Sequence, residues 1–153
     1  MKTGIVQYQL LDPRKLIPTE EIDNDRVIEL EREIVQSGRW TRPITAHRAD
    51  WFVMDGHHRL TIAQRLCFRV LPVVLLDYDT VRVEAWRPGE TITPDMISAM
   101  ARSGRRFPSK TTRHIFEGAP PACDIPLKDL RHPNAVQSTQ ALEAWAKPSM
   151  SPD

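Results

Sequence analysis

The sequence predicts a compact α/β domain with a small mixed sheet flanked by helices. Three observations carry that reading. Short strand-like runs, such as residues 4–11 and 70–76, alternate with stretches whose apolar residues recur at helical spacing, such as 27–35 and 60–67. A length of 153 residues suits one domain, expected over residues 1–131, followed by a C-terminal tail over 132–153. Hydrophobic residues make up 41% and charged residues 27%, ordinary values for a globular chain that can bury a core.

Gly4 to Leu11 reads as a first strand that Pro13 ends. Leu16 to Glu21 reads as an extended loop around Pro18, because the residue before a proline avoids the helical region. Asn24 or Asp25 is placed to cap the next helix, in which Val27, Leu30 and Ile34 share one face with Ile28 and Val35 beside it. Ser37-Gly38 ends that helix, with Gly38 as a left-handed cap. Pro43 to His47 and Trp51 to Met54 form a hairpin around Arg48-Ala49-Asp50. The helix after Asp55-Gly56 buries Leu60, Ala63 and Cys67, with Ile62 and Leu66 flanking, and ends near Phe68-Arg69. Val70 to Leu76 is a strong strand, in which Pro72 marks an edge start or delays pairing. Val81 to Trp86 is another strand, and Pro88-Gly89 turns the chain. Thr93 caps a short helix that has Pro94 at its first position, Met96, Ile97 and Met100 facing inward, and Ser103-Gly104 as its stop. Arg105 to Phe116 is a loop that ends in a short strand. From residue 118 the chain is rich in proline, with a turn of helix at Leu127 to Leu130 and transient helix at Ala141 to Ala146.

Charge and cysteine usage exclude several classes. The net charge of +1 gives no global attraction to nucleic acid, although the charge is segregated. Residues 20–33 hold seven acids against Arg26 and Arg32, whereas residues 96–116 hold no acid and five bases. No apolar run reaches membrane-spanning length and no signal peptide is visible, so a cytoplasmic protein is expected. Cys67 and Cys123 are far apart without metal spacing, and Cys67 reads as a buried thiol.

The chemistry concentrates in three stretches. Trp51 to Met54 runs into an Asp55-Gly56 turn, and a helix then begins with His57-His58-Arg59. A helix start offers unpaired N–H groups and the positive end of the dipole, so imidazoles and a guanidinium there make a seat for phosphate. A transition-metal site built from His57 and His58 with His47, Asp55 or Cys67 fits worse, because neighbouring helical residues point in different directions and no HxxxH or CxxC spacing is present. Glu20 and Glu21 sit on the proline-fixed loop, either as a solvated acidic turn or as a general base held rigidly. Lys110-Thr111-Thr112-Arg113-His114 is dense in groups that bind phosphate or carboxylate, or else is a basic surface loop. No serine or cysteine stands in a nucleophile elbow, which argues against covalent acyl chemistry.

Val53-Met54-Asp55-Gly56-His57-His58-Arg59-Leu60 closely resembles the DGHHR element of the ParB/sulfiredoxin-like fold. Pro18-Thr19-Glu20, Leu76-Asp77-Tyr78, Trp86 and Ser109-Lys110-Thr111-Thr112-Arg113-His114 resemble free L-serine kinases of the SerK type, over about residues 5–131. Ile125 to Leu130 is similar to their closing segment, while the long insertion that some of them carry is here only residues 87–106. Sulfiredoxin would need a cysteine where His57 stands, and the chain after residue 104 is too short and proline-rich for the helix-turn-helix of ParB partition proteins. The resemblance implies transfer of a phosphoryl group from ATP or ADP to the hydroxyl of free L-serine. It implies Glu20 as base, Asp55 to Arg59 as the cradle for the nucleotide phosphates, and Mg2+ with Asp55 among its ligands. Trp86, Lys110, Thr111, Thr112, Arg113 and His114 are the implied substrate-binding residues. Nucleic acid and membrane are not expected partners. The rival reading is a non-catalytic, ParB-like nucleotide-binding regulator that touches DNA through residues 102–113, and such a protein has no use for a base at Glu20.

Overall fold

Residues 7–118 and 121–132 are described by a computed structural model. In chain order they form Gln9–Leu11 (β1), a 3-10 turn at Pro13–Lys15, Asn24–Ser37 (α1), Arg39–Trp40 (β2), Ile44–His47 (β3), Val53–Asp55 (β4), His57–Arg65 (α2), Leu71–Leu76 (β5), Val81–Ala85 (β6), Pro94–Ser103 (α3), Thr112–Phe116 (β7), Ile125–Pro126 (β8) and Leu127–Arg131 (α4). The start of the predicted first strand at Gly4 to Val6, and the predicted tail with its helix at 141–146, lie outside the described residues.

The central sheet runs β1-β5-β3-β4 and is mixed, as predicted: β5 is antiparallel to β1 and parallel to β3. Pro72 has no N–H to donate, and the β3 ladder accordingly begins one residue later, where Ile44 faces Val73. β3 and β4 form the expected hairpin. Two small ladders complete the strands, β2 with β8 and β6 with β7.

Two apolar clusters hold these elements. The larger joins α1, α2 and α4 to the sheet through Val27, Leu30, Ile34, Leu60, Ile62, Leu71 and Leu130, with Trp40 buried and edge-on to Phe68. The smaller gathers Phe52, Met54, Val81, Ile97 and Ala101 beneath the β6–β7 hairpin and α3. Among the described residues no helix is long and apolar enough to cross a membrane.

The element ends show where local chemistry overrode the pattern. Asp23 caps α1 in place of Asn24 or Asp25, because its extended backbone lets its carboxylate accept from the N–H groups of Asp25 and Arg26. Gly38 takes the left-handed cap as predicted, at φ 70°. α2 stops at Arg65, short of Phe68: Cys67 enters the left-handed region at φ 60° and stays exposed, which turns Phe68 inward. The predicted burial of Cys67 is thereby overturned, and Ile62 takes an inner position beside Leu60 and Ala63. In α3, Thr93 and Pro94 start the helix as predicted, but Met96 is 42% exposed and the inner face is Ile97 and Ala101, one turn apart.

Candidate active site

The loop before α1 is fixed along its whole length. At one end the Ile17 N–H donates to Trp51 O and the Val53 N–H to Ile17 O, both at 2.9 Å. At the other, the Phe107 N–H donates to Thr19 O and the Glu21 N–H to Phe107 O, both at 2.8 Å. Glu20 stands between these last two bonds, opposite Phe107. Its carboxylate turns toward the segment that precedes β7. Oε1 accepts from the Lys110 N–H at 2.7 Å, while Oε2 accepts from the Thr112 N–H at 3.1 Å and the Thr112 hydroxyl at 2.8 Å. A carboxylate has about four lone-pair directions, so at least one on Oε1 is left for a further donor. Lys110 holds φ 61°, a left-handed conformation that costs a non-glycine residue about 1–3 kcal/mol.

Facing this carboxylate is the start of α2. Gly56 precedes it at φ 112°, and a Cβ there would stand 2.9 Å from Ile44 Cγ1, so only glycine fits the turn. No side chain caps the helix, and the N–H groups of its first turn are available to an anion. The cleft between loop and helix is lined by Glu20, Asp55, Gly56, His57, His58, Arg59, Trp86, Ser109, Lys110 and Thr112, together with Leu30, Met54, Arg26 and Arg42. Four cationic side chains (Arg26, Arg42, Arg59 and Lys110) thus meet two carboxylates, which favours a polyanionic ligand.

The ring nitrogens of the two histidines are already engaged. His57 Nε2 accepts from the Thr19 N–H at 3.0 Å, with the Thr19 hydroxyl 3.3 Å away, and His58 Nε2 accepts from the Asp23 N–H at 3.1 Å. Burial, reinforced by His114, His58 and Arg106, holds the His57 pKa down to about 3. Burial also lowers that of His58, against the opposing pull of Asp23. Both rings are therefore neutral near pH 7, and their contribution to an anion seat comes from their backbone N–H groups. Arg59 is pushed below its ordinary value by burial and then by Arg42.

The residues predicted from the 109–114 stretch are divided by the backbone, which is left-handed at Lys110 and enters β7 only at Thr112. Lys110 and Thr112 reach the cleft. Thr111 is buried and its hydroxyl donates to Pro108 O at 2.6 Å. The Arg113 guanidinium lies over the Trp86 ring, 5.3 Å from its centroid, outside the lining of the cleft. Trp86 itself is 52% exposed at the cleft. His114 points into the smaller cluster, where Nε2 meets the Tyr78 hydroxyl at 3.0 Å and burial lowers its pKa to about 4. Arg26 and Arg42 were not singled out by sequence reasoning. Arg26 carried a signal: it is a base in the first turn of a helix, where the dipole favours acids. Arg42 precedes Pro43 and carried none. Among the described residues no group of three or more His, Cys, Asp or Glu side chains is placed to hold a metal ion.

No protein-family model matches the chain. An ATP-dependent L-serine kinase from Staphylothermus marinus is 32% identical over 89 residues, 54% of this chain and 35% of that protein. The ADP-dependent L-serine kinase SerK of Thermococcus kodakarensis is 28% identical over 92 residues, 56% of this chain and 38% of that protein. A ParB-like protein of Sulfolobus acidocaldarius is 28% identical over 89 residues, 58% of this chain and 44% of that protein. The matched segments thus span less than half the length of these curated relatives. Among solved structures, a free serine kinase in complex with AMP superposes at a TM-score of 0.75 with 17% identity, covering 85% of this chain and 96% of that one. SbnI with a C-terminal truncation, from Staphylococcus aureus, superposes at 0.76 with 14% identity, covering 94% and 96%. The small mixed sheet with flanking helices is the fold that the chain shares with these solved structures, as expected from the resemblance of the Val53 to Leu60 element.

Proposed function

We propose that the cleft transfers a phosphoryl group from ATP or ADP to the hydroxyl of free L-serine, giving O-phospho-L-serine. The observation that carries this reading is the Glu20 carboxylate. It is held in the cleft by Lys110 and Thr112 and directly faces an uncapped helix start flanked by arginines. Phosphoryl transfer asks for positioning and charge neutralisation rather than a covalent intermediate, and those are what the lining residues supply. The N–H groups from His57 to Arg59, with Arg59 and Arg42, receive the donor phosphates. Glu20 accepts the serine proton through the remaining lone pair of Oε1. Thr112, Lys110 and Trp86 form the amino-acid side, with Arg113 acting through Trp86 by holding the ring in place. Thr111 and His114 support that side from behind, through Pro108 and Tyr78.

Magnesium fits the donor set in one form only. Mg2+ held mainly by phosphate oxygens and water needs one or two protein carboxylates, and Asp55 is the cleft carboxylate that stands at the helix start. The ion would neutralise phosphate charge there, with Asp55 as its protein ligand. The similarity to proteins named L-serine kinases, one ATP-dependent and one ADP-dependent, supports the substrate class and leaves both donors to be tested.

The test is incubation of the purified protein with Mg2+, each nucleotide in turn, and serine, threonine or a serine-containing peptide, with phosphorus NMR and mass spectrometry as readouts. O-Phosphoserine from free serine is the expected product, with threonine slower provided Trp86 closes over the β-carbon, since an added methyl in a tight pocket costs about 1–3 kcal/mol. Equal efficiency on the peptide would overturn the free-amino-acid reading. Nucleotide binding without any transfer would favour the ParB-like regulator.

A further inference from the structure

The two histidines at the start of α2 have ring partners that phosphate binding does not explain. His57 and His58 are adjacent on a helix, so their side chains leave the axis about 100° apart. Each therefore reaches a different point on the loop opposite. His57 Nε2 meets the N–H of Thr19, the residue before Glu20, and His58 Nε2 meets the N–H of Asp23, three residues after it. The loop is bracketed from one side by these rings and from the other by Phe107. With Nε2 accepting, each neutral ring carries its proton on Nδ1. The same two residues present their backbone N–H groups at the open end of the helix.

We infer that His57 and His58 are positioning residues, which set Glu20 at a fixed distance from the anion-binding start of α2 by accepting main-chain hydrogen bonds from its loop. The inference rests on the reading of Glu20 as the base. One short helical segment thereby locates both reactants, the phosphates through its main chain and the proton acceptor through its side chains. A displacement of the loop would leave nucleotide affinity largely intact while moving the base out of line with the phosphoryl group.

The test compares His58→Leu, which removes the acceptor, with His58→Gln, which keeps a carbonyl acceptor, and repeats both at His57. Three quantities are read: the split of phosphoserine turnover into kcat and nucleotide KM, nucleotide Kd by calorimetry, and amide hydrogen exchange over residues 19–23. His58→Leu should lower kcat and speed exchange of the Asp23 amide, each by about 3- to 10-fold, the factor for one lost neutral hydrogen bond, with Kd within about twofold. His58→Gln should recover most of both. If His58→Leu weakened nucleotide binding about tenfold or more with exchange at 19–23 unchanged, the ring would be a phosphate ligand and the inference would fail. Equal impairment in the Gln and Leu variants would also overturn it. Should the unsubstituted protein make no phosphoserine, the kinase reading falls on its own, and exchange with Kd still decides the role of the rings.

Discussion

Replacing Glu20 with glutamine separates the chemistry of this carboxylate from its structural role. The side chain keeps its length and loses its charge. The best orientation turns the amide oxygen to the Thr112 N–H and hydroxyl and directs the NH2 group at the Lys110 N–H, now 2.7 Å from an acceptor that has become a donor. One charge-assisted bond, worth about 1.5–3 kcal/mol, is lost, and two others fall to the neutral range of about 0.5–1.5 kcal/mol each. The Lys110 bond is solvent-exposed, so water replaces part of it. The expected net loss of folding stability is therefore about 2–4 kcal/mol, read by urea unfolding. The expected loss of turnover is larger, about 10²–10⁴-fold for a general base, read as phosphoserine formed at saturating substrates. Glu21 is exposed and outside the cleft, and Glu21→Gln should be close to neutral in both assays. Turnover of Glu20→Gln within about tenfold of the unsubstituted protein would refute the assignment of the base. So would a dead Glu21→Gln beside an active Glu20→Gln.

Three further outcomes follow from distances and burial already described. Gly56→Ala should cost about 2–5 kcal/mol, adding strain at φ 112° to overpacking against the fully buried Ile44, and a loss under about 1 kcal/mol in urea unfolding would contradict the turn as described. His114 has a folded pKa near 4, below the ordinary 6.5, so its neutral form contributes stability that is fully present above pH 6.5 and is lost as pH falls toward 4. Stability should drop by up to about 1.4 kcal/mol per pH unit for this group across that window; a His114→Gln variant with the same pH slope would show that another group is responsible. Arg42→Gln and Arg59→Gln should each weaken nucleotide binding by one to two decades, at about 1.5–3 kcal/mol per charge-assisted contact, and calorimetry finding both unchanged would move the phosphate seat elsewhere.

What could be read from the sequence was whatever one residue type or one short period decides. Gly38, Gly104 and the Thr93-Pro94 pair each announce a helix end by backbone chemistry that few alternatives share. The hairpin from Ile44 to Asp55 and the glycine between it and α2 were equally legible, and with them the open helix start. The α1 cap was not, because Asp23, Asn24 and Asp25 are all good caps and the choice among them lies in the entry angle of the loop. The end of α2 was missed because Cys67 takes a left-handed conformation that nothing in its identity suggests. At the site, Glu20 and Lys110 could be singled out, but the bond between them spans 90 residues and no local pattern contains it. Arg42 enters the cleft only because β3 is paired in the middle of the sheet, which is a property of topology.

Glu20 bridges two bodies of unequal strength. Its backbone loop is tied to the sheet of the larger cluster through Ile17 and Val53 and to the smaller cluster through Phe107, while its carboxylate is tied to β7 and the segment before it; the smaller cluster buries only five side chains, two of them, Phe52 and Met54, from the β3–β4 region. Local opening follows the least stable cooperative unit rather than the whole domain. The assembled site therefore depends on the smaller cluster as well as the larger: an opening confined to the smaller one would part Lys110 and Thr112 from Glu20 while the large core stays folded.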